Sequence, residues 1–599
     1  MIVRPPKKRR MVGWFNPIPL LQTAIRVAMS TIFGEFADRR EAFAAANPIG
    51  DSALDPRFDY SGRHPDGDFW FDFVADLGDG WNSTFAIARL LAEDRLELAG
   101  AQALPRGSLL IMGGDEVYPT PSADEYYDRL LYPYSEAYQE RWPEKDCPDL
   151  YAIPGNHDWY DGLRSFSPLF CRRSIKVEGR AGVNRRGKVI GGRQTQQTRS
   201  YFALRLPKGW WLWGMDSQIQ GYIDQPQVDF FQFVAEKWME PRSRLIICAG
   251  TPGWEYVDPR APEKEYGTLS YLERLAPSVA GKGHELKLML SGDSHHYARY
   301  REKDHNFVTC GGGGAFLHPT HNLVPHKEFE FPFPAPGEPY DRKRKSYKRT
   351  VDLATKGNVA NADEATFPSR SESRRLAGGL TLFAFRNPYF TLCVAAIYLS
   401  FTWLIYLNNQ VLDPLGAHQP LHRLLVSGSL VDADFKFWLL AIASPATLLF
   451  CLLGWAGYYY FADAEGAARV VMGTAHALIQ AIAASLVACL VLRALLPLLP
   501  GTAGTILSFV AAALAAAVTT GTLMGVYLWL CLNAWGRHWG HFSALAVEHY
   551  KSFLRLHIAS DGTLSIFAIG LPGVPDDRRR RGGNPARLCP ELIETISIH

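Results

Sequence analysis

The sequence predicts an α/β domain, followed by a four-helix transmembrane region and a small cytoplasmic tail. Between about residues 69 and 320, short apolar runs of strand length break at glycine and lead into polar side chains. Charged residues make up 21% of the 599-residue chain, yet they almost vanish between Pro388 and Trp535. The chain is too long for one core, and this change in composition separates a soluble part from a membrane part.

Residues 1–68 are interpreted as an N-terminal amphipathic helix with a lead-in to the domain. The basic head "RPPKKRR" at 4–10 precedes a helix expected at 18–36. Prolines, Arg26 and Glu35 interrupt the apolar run, so it lacks the core of a secretory signal peptide. The helix either docks on the domain or lies at a membrane surface, and both interpretations stay open.

Polar side chains gather at the ends of the strands predicted in residues 69–321. The runs end in "FVADLGDG", "IMGGDEVY", "AIPGNHDW" and "MLSGDSHH". A single Gly-Asp after a strand is usually a turn that caps the next helix. Several such endings in one segment instead favour a common site, because strand ends of a sheet point into one crevice.

This chemistry suits divalent cations. Carboxylates, an amide and imidazoles are ligands for manganese, iron or zinc, and two such ions clamp the entering and leaving oxygens of a phosphoryl transfer. A metal-bound hydroxide then serves as the nucleophile. His157, beside Asn156, is expected to protonate the leaving group or to hold the phosphate. The candidate ligands at the strand ends are Asp76, Asp79, Asp115, Glu116, Tyr118, Asn156, Asp293, His295 and His296.

The four strand-end segments, in this order, resemble the conserved sequence blocks of the calcineurin-like metallophosphoesterase superfamily. The chain would then be a bacterial-type, membrane-anchored member. GNHD following GGD is the specific signal, and the D-x-G form of the first block is similar to the purple-acid-phosphatase branch. The resemblance implies a two-layered β-sandwich flanked by helices, with a dinuclear metal centre. It covers roughly residues 69–321, under half of the chain.

The resemblance also implies individual roles. Asp76 matches a ligand of the first metal, and Asp115 matches the carboxylate that bridges both metals. Asn156 matches the amide ligand of the second metal, and His295 matches a histidine ligand of the first metal. His157 matches the histidine proposed as general acid in the superfamily. Tyr118 stands where the purple-acid-phosphatase branch has a metal-binding tyrosine.

Two positions depart from the superfamily pattern, and both affect the second metal. Gly250 stands where the superfamily pattern has a histidine. The last block of that pattern is GH-x-H, and Asp293 stands in place of its first histidine. Asp293 can still ligate, and Asp79, Glu116 or His296 are possible additional ligands. Three interpretations remain: an altered but active dinuclear site, a mononuclear site of weak activity, or a domain retained for binding. The glycines at 311–314 either cradle phosphate or form a tight sheet turn.

The second half of the chain is interpreted as a linker, a membrane region and a tail. Residues 322–387 are Pro-rich and charged, and form a linker or lid. Spans are expected at about 388–407, 437–461, 476–499 and 505–533, within a membrane region at 388–535. Residues 536–599 form the tail, with a small hairpin about Asp561 and Gly562.

Arginines just before the first span place the domain and tail in the cytoplasm, at the cell inner membrane. The sequence therefore predicts a multi-pass, membrane-anchored, metal-dependent phosphoesterase. Its substrate is a phosphorylated small molecule or a lipid-linked phosphate, and the net charge of +3 indicates no nucleic-acid partner. The alternative is a catalytically weakened membrane receptor or scaffold, favoured by the departures at Gly250 and Asp293.

Overall fold

The structure is a computed structural model that divides into two compact units. The first comprises Met1–Val12, Gln22–Ser373 and Ala546–His599, and the second comprises Gly13–Leu21 and Arg374–Leu545. The residues that it describes are 5–37, 40, 44, 54–63, 68–98, 103–138, 147–171, 189–217, 223–331, 347–359, 362–411, 421–426, 428–579 and 585–599.

The strands all lie in the first unit. They are β1 Phe69–Val74, β2 Arg95–Leu96, β3 Leu104–Pro105, β4 Leu109–Met112, β5 Asp149–Ala152, β6 Val189–Ile190, β7 Arg193–Thr195, β8 Phe202–Arg205, β9 Trp210–Gly214, β10 Arg244–Ala249, β11 Glu285–Ser291, β12 Tyr297–Glu302, β13 His305–Cys310, β14 His326–Phe331, β15 Tyr347–Leu353, β16 Thr366–Phe367, β17 Lys551–Ile558, β18 Leu564–Leu571 and β19 Glu591–Ile598.

The α-helices divide between the two units. They are α1 Pro17–Ala37, α2 Trp81–Ala92, α3 Ala123–Tyr126, α4 Tyr132–Tyr138, α5 Asn156–Trp159, α6 Ser167–Phe170, α7 Gln225–Phe233, α8 Gly253–Tyr256, α9 Pro262–Leu275, α10 Arg370–Ala377, α11 Phe383–Arg386, α12 Pro388–Val411, α13 Leu421–Val426, α14 Leu430–Ile442, α15 Pro445–Phe461, α16 Gly466–Leu495 and α17 Gly501–Trp535. Within the described residues, 3₁₀ turns lie at Pro56–Phe58, Pro207–Gly209, Lys356–Asn358, Gly378–Leu382, Trp539–Leu545 and Asp577–Arg579. Wider turns extend α3 and α7 over Tyr127–Leu131 and Val234–Trp238.

Two mixed sheets form the first unit. The order of the first is β19-β18-β17-β1-β4-β5-β7-β6, with β1, β4, β5 and β7 parallel. The order of the second is β14-β15-β12-β13-β11-β10-β9-β8, with β9, β10, β11 and β13 parallel, and β16 also pairs with β12. The parallel strands of both sheets therefore form the centre, and antiparallel strands form the edges.

The side chains of β1 show how the layers are stacked. Phe71 and Phe73 are buried in one core with Leu288 and Val308 of the second sheet. Val74, on the opposite face of β1, is buried in a second core with Phe85 of α2. A third core lies between the second sheet and the helices α7 and α9. The predicted α/β domain is thus confirmed, with both faces of each sheet covered.

The C-terminal residues do not form the separate tail that the sequence suggested. The hairpin about Asp561 and Gly562 is present, but it is part of the first sheet. Strand β17 pairs antiparallel with β1, and β18 and β19 follow it. These strands are apolar on one face and therefore need a sheet to cover it, and the edge of β1 provides the backbone partner.

The interval 322–387 is likewise more than a linker. Strands β14 and β15 extend the second sheet through β12, and β16 pairs with β12 beside them. Alternate side chains of β14 are buried, as expected for a strand with one covered face. Residues 332–346, between β14 and β15, lie outside the described residues.

The second unit holds the apolar helices. Pro388–Asn409, Gly466–Leu495 and Gly501–Trp535 are each long and apolar enough to cross a membrane. The span expected at 437–461 is instead a helix pair, Leu430–Ile442 and Pro445–Phe461, bent by 102°. The break has a local cause. Ser444 caps the second helix by accepting a hydrogen bond from the Ala446 N–H, and Pro445 occupies the first helical position.

Candidate metal centre

Three of the predicted ligands follow central strands in an unusual backbone conformation. Asp76, Asp115 and Asp293 follow β1, β4 and β11, with φ angles of 58°, 54° and 66°. Aspartate tolerates this left-handed region better than most residues, but each instance costs on the order of 1–3 kcal/mol. Strain of this kind clusters at functional sites, where surrounding structure holds the side chain in place.

Two of these aspartates meet at the hydroxyl of Tyr118. This fully buried oxygen lies 2.9 Å from Asp76 Oδ1, 3.0 Å from Asp115 Oδ2 and 2.9 Å from His295 Nε2. His295 Nε2 is also 3.7 Å from Asp76 Oδ1. The structure therefore brings together the predicted ligands Asp76, Asp115, Tyr118 and His295, which come from three different strand ends.

The protonation of His295 makes this meeting point electron-rich. Its Nδ1 lies 2.8 Å from the Phe316 carbonyl oxygen, which only accepts, so Nδ1 carries the proton. Burial and the neighbouring His318 lower the pKa of His295 well below its usual range, so the ring is neutral. Nε2 then presents a lone pair to the Tyr118 hydroxyl.

Too few protons are present to satisfy these groups. Tyr118 has one hydroxyl hydrogen, yet it faces two carboxylates and one imidazole lone pair. Burial and the Asp115 carboxylate raise the pKa of Asp76 well above its usual range, and burial and Asp158 raise the pKa of Asp115 to about 8. Burial therefore favours the protonated carboxyls here, and a bound metal ion would offset the same negative charge. The donor set fits a divalent cation.

A second group of oxygens is contributed by Asn156 and Asp293. The Asn156 amide nitrogen donates to the Tyr160 hydroxyl at 3.1 Å, whereas its buried Oδ1 has no hydrogen-bond partner in the described part of the chain. Asp293 accepts from Tyr256 at 2.9 Å, and burial and Asp115 raise its pKa to about 7. A buried amide oxygen that accepts no hydrogen bond is energetically unfavourable, and a bound cation would satisfy it.

His157 is oriented by its neighbours. Its backbone N–H donates to Asp115 Oδ1 at 2.9 Å, and its Nδ1 donates to the Pro119 carbonyl at 2.8 Å. The ring packs 4.3 Å from that of Tyr118, and burial lowers the pKa of the imidazole. A second proton on His157 would therefore be placed on Nε2.

Asp158 is a positioning residue that the sequence analysis did not single out. Its Oδ2 accepts from the backbone N–H of Gly155 at 2.9 Å and from that of Glu116 at 3.2 Å. One carboxylate thus ties the loop that carries Asp115 to the loop that carries Asn156. The GNHD motif was the available signal, since its last residue is acidic.

The three possible additional ligands make other contacts. Asp79 accepts from the N–H of Val12 at 2.7 Å and from that of Phe316 at 3.3 Å, so it holds the N-terminal segment on the domain. Glu116 is buried beside Asp158, and burial together with that carboxylate raises its pKa. His296 Nε2 lies 3.3 Å from Glu255 Oε2. None of these contacts brings the side chain to the Tyr118 hydroxyl.

Two further groups near the site come from distant parts of the sequence. The Lys551 ammonium, from β17, donates to the Ala315 carbonyl. Burial lowers its pKa to about 8, although Asp79, Glu548 and Asp76 oppose that shift. The His318 ring stacks on that of His295, with centroids 4.0 Å apart, and its Nδ1 accepts from the His295 N–H. No local pattern indicated Lys551, which follows Asp76 by hundreds of residues and lies beyond the apolar helices.

The glycines at 311–314 pack tightly against the loop that carries Asp76. A Cβ at Gly311 would lie 2.2 Å from Asp76 Oδ2, and one at Gly313 would lie 2.4 Å from the Ala75 carbonyl. The N–H of Gly311 donates to His296, and that of Gly313 donates to Ala75. The N–H groups of Gly311 and Gly313 therefore bond to backbone carbonyls, which favours the close sheet turn at these two positions.

Within the described ranges, no group of three or more His, Cys, Asp or Glu side chains is placed so that it could hold a metal ion. Asp76, Asp115 and His295 instead converge on the Tyr118 hydroxyl. Gly250 supplies no side chain where the resemblance to the superfamily implies a histidine.

Comparisons with known proteins agree with the sequence motifs. The family model described as calcineurin-like phosphoesterase matches residues 69–297. A solved structure titled "GAP50 the anchor in the inner membrane complex of Plasmodium" covers 42% of this chain and 74% of its own, with 10% identity and a TM-score of 0.30. At that score the likeness carries no argument. A search of curated proteins gives no match.

Proposed function

We propose that this chain is a membrane-anchored, metal-dependent phosphoesterase, because residues 69–297 match the calcineurin-like phosphoesterase family model. It hydrolyses a phosphate ester or a phosphoanhydride. One observation carries the proposal: the Tyr118 hydroxyl is shared among Asp76, Asp115 and a neutral His295 whose lone pair points inward. Such a set needs a cation, and cations activate water for attack on phosphorus.

Two neighbouring cation positions fit the residues. The first would be held by Asp76, Asp115, Tyr118 and His295. The second would be held by Asp115, Asn156 and Asp293, whose donors are all oxygens. When bound, divalent ions supply Lewis acidity and an acidified water to the reaction. The oxygen-only set favours a hard ion such as manganese or magnesium at the second position, since imidazole is missing there.

The remaining residues orient and transfer protons. His157 reaches the site with Nδ1 fixed on Pro119, so the proton passed to a leaving oxygen is carried on Nε2. Burial lowers the pKa of the imidazole, and an arriving phosphate anion would raise it again. Tyr256 holds Asp293, and Asp158 holds the two loops in register.

The path of the chain supports an even number of membrane crossings. Strands β1 and β17 are neighbours in one sheet, and the apolar helices lie between them in sequence. A sheet cannot span both sides of a bilayer, so the chain must return to the side from which it left. Three straight helices alone would give an odd number of crossings. The bent pair Leu430–Ile442 and Pro445–Phe461 therefore has to serve as the fourth span. The arginines before Pro388 then place the domain in the cytoplasm, at the inner membrane.

A membrane-proximal phosphate is the substrate class that this arrangement favours. The domain is joined in sequence to the apolar helices at both ends of their insertion. A lipid-linked phosphate, or a small phosphorylated molecule produced at the membrane, would meet the site at high local concentration.

The alternative is a receptor or scaffold that binds without turnover. Gly250 leaves the second position short of one ligand, and Asp293 is already engaged by Tyr256. This function predicts tight ligand binding with no release of phosphate.

One experiment separates the two functions. Metal content of the purified full-length chain is measured together with aryl-phosphate and bis-aryl-phosphate turnover in added manganese. We expect bound divalent metal and turnover, with turnover falling at least about a hundredfold in Asp115→Asn. Asp124→Asn, an exposed carboxylate nearby, is the matched control. Metal and ligand binding without turnover in the wild-type chain would favour the receptor.

A further inference from the structure

Helix α1 carries an apolar stripe that faces away from the protein. Successive members of the stripe are three or four residues apart, so they lie on one side of the helix. Thr23 and Val27, on the opposite side, are the positions that pack toward the protein. The exposed fractions are 70% for Ile18, 62% for Leu21, 52% for Ile25, 55% for Met29 and 64% for Ile32. A surface helix of a soluble domain normally has the reverse orientation.

The segment before the helix complements this stripe. Lys7, Lys8 and Arg10 are exposed, and they precede α1 by a few residues. Cations close to an anionic membrane surface are attracted to its headgroups. Apolar side chains next to a basic cluster are the composition of helices that lie in the plane of a membrane surface.

We propose that α1 docks on the lipid bilayer, with the stripe Ile18, Leu21, Ile25, Met29 and Ile32 inserted among the headgroups. The bilayer is the favoured occupant because the same chain contains helices able to cross it. Arg26 interrupts the apolar sequence and makes α1 unsuitable as a span. The stripe therefore lies along the membrane.

This docking has a direct connection to the metal centre. Arg26 donates to Thr120 Oγ1 at 2.6 Å and to the Pro121 carbonyl at 3.4 Å. The same loop includes Tyr118, and its Pro119 carbonyl accepts from His157. A helix fixed in the headgroup layer thus holds the loop of the metal centre at the membrane surface. That consequence rests on the proposed function, whereas the docking does not.

The test uses the full-length chain in nanodiscs of phosphatidylcholine with a quarter phosphatidylglycerol. A photo-reactive diazirine amino acid replaces Met29, and the same group in place of Ala24 is the matched control. Ala24 is exposed on the same helix but lies off the stripe. After irradiation, mass spectrometry identifies what each position has captured.

We expect lipid adducts at position 29, several-fold above those at position 24. Introducing Ile25→Glu should lower the adducts at position 29 several-fold, because a carboxylate opposes insertion. Adducts to a second copy of the chain or to its own helices, equal labelling at both positions, or no lipid adduct at all would each overturn the proposal. The readout needs no catalysis, so it stands or falls separately from the phosphoesterase activity.

Discussion

The ion pair between Asp72 and Arg555 tests whether the C-terminal strands are part of the first sheet. Arg555 Nε lies 2.8 Å from Asp72 Oδ1, and Nη2 lies 3.3 Å from Oδ2. Arg555 Nη1 also donates to the Leu104 carbonyl at 3.1 Å. Both charged side chains are buried, and they join β1 to β17 across hundreds of residues of sequence.

The substitution Arg555→Met keeps much of the side-chain volume and leaves the Asp72 carboxylate buried without its partner. Removing one member of a buried pair costs about 3–5 kcal/mol. For a domain of this size, each kcal/mol lowers Tm by roughly 2–4 °C, so the expected decrease is roughly 6–20 °C. The double variant Arg555→Met with Asp72→Leu removes both charges and should recover most of this loss.

Thermal unfolding of the full-length chain in detergent, followed by tryptophan fluorescence, measures these changes. Arg301→Met is the control, since Arg301 and Asp304 form a partly exposed pair at 3.7 Å whose loss should cost less than about 1 kcal/mol. A Tm for Arg555→Met equal to that of the control would refute the reasoning. It would mean that β17 does not pair with β1, and the case for an even number of crossings would fail with it.

Three further predictions concern the centre and the membrane region. Tyr118→Phe removes the shared hydroxyl, so we expect metal affinity to fall about tenfold or more by calorimetry and the metal-free protein to lose about 1–3 kcal/mol in denaturant unfolding. Gly311→Ala places a Cβ 2.2 Å from Asp76 Oδ2 and should weaken metal binding in equilibrium dialysis by displacing that carboxylate. Epitope tags at the N-terminus and after His599 should be accessible from the same side of the membrane, and a tag inserted at Pro500 from the opposite side.

Each of these has an outcome that counts against it. Unchanged metal affinity in Tyr118→Phe would show that the phenol is not a ligand. Gly267→Ala is the control for Gly311→Ala, because its Cβ would meet only Glu263 at 3.8 Å, and equal effects of the two would mean general destabilisation. Tags at the two termini accessible from opposite sides would give an odd number of crossings.

Much of the metal centre was predictable because its residues follow strands at short, regular offsets. Asp76, Asp115 and His295 each lie a few residues beyond a buried strand, and parallel strands deliver such residues to one edge. Asp79 and His296 satisfy the same pattern, yet Asp79 binds backbone N–H groups and His296 pairs with Glu255. The pattern gives the position of a residue along a loop but not the direction of its side chain.

The sequence by itself indicated the α/β domain with its phosphoesterase-like motifs, the apolar helices and most groups of the candidate site, because local runs of polarity and short motifs carry this information. Only the tertiary structure decided that residues 551–598 belong to the first sheet, that 326–367 extend the second, and that Lys551 lies behind Asp76. Strand pairing between β1 and β17 depends on backbone hydrogen bonds and packing that leave no mark in either segment alone. The bend at Ser444 belongs partly to each group. Its helix cap is a local sequence feature, whereas its effect on the number of membrane crossings depends on the whole chain.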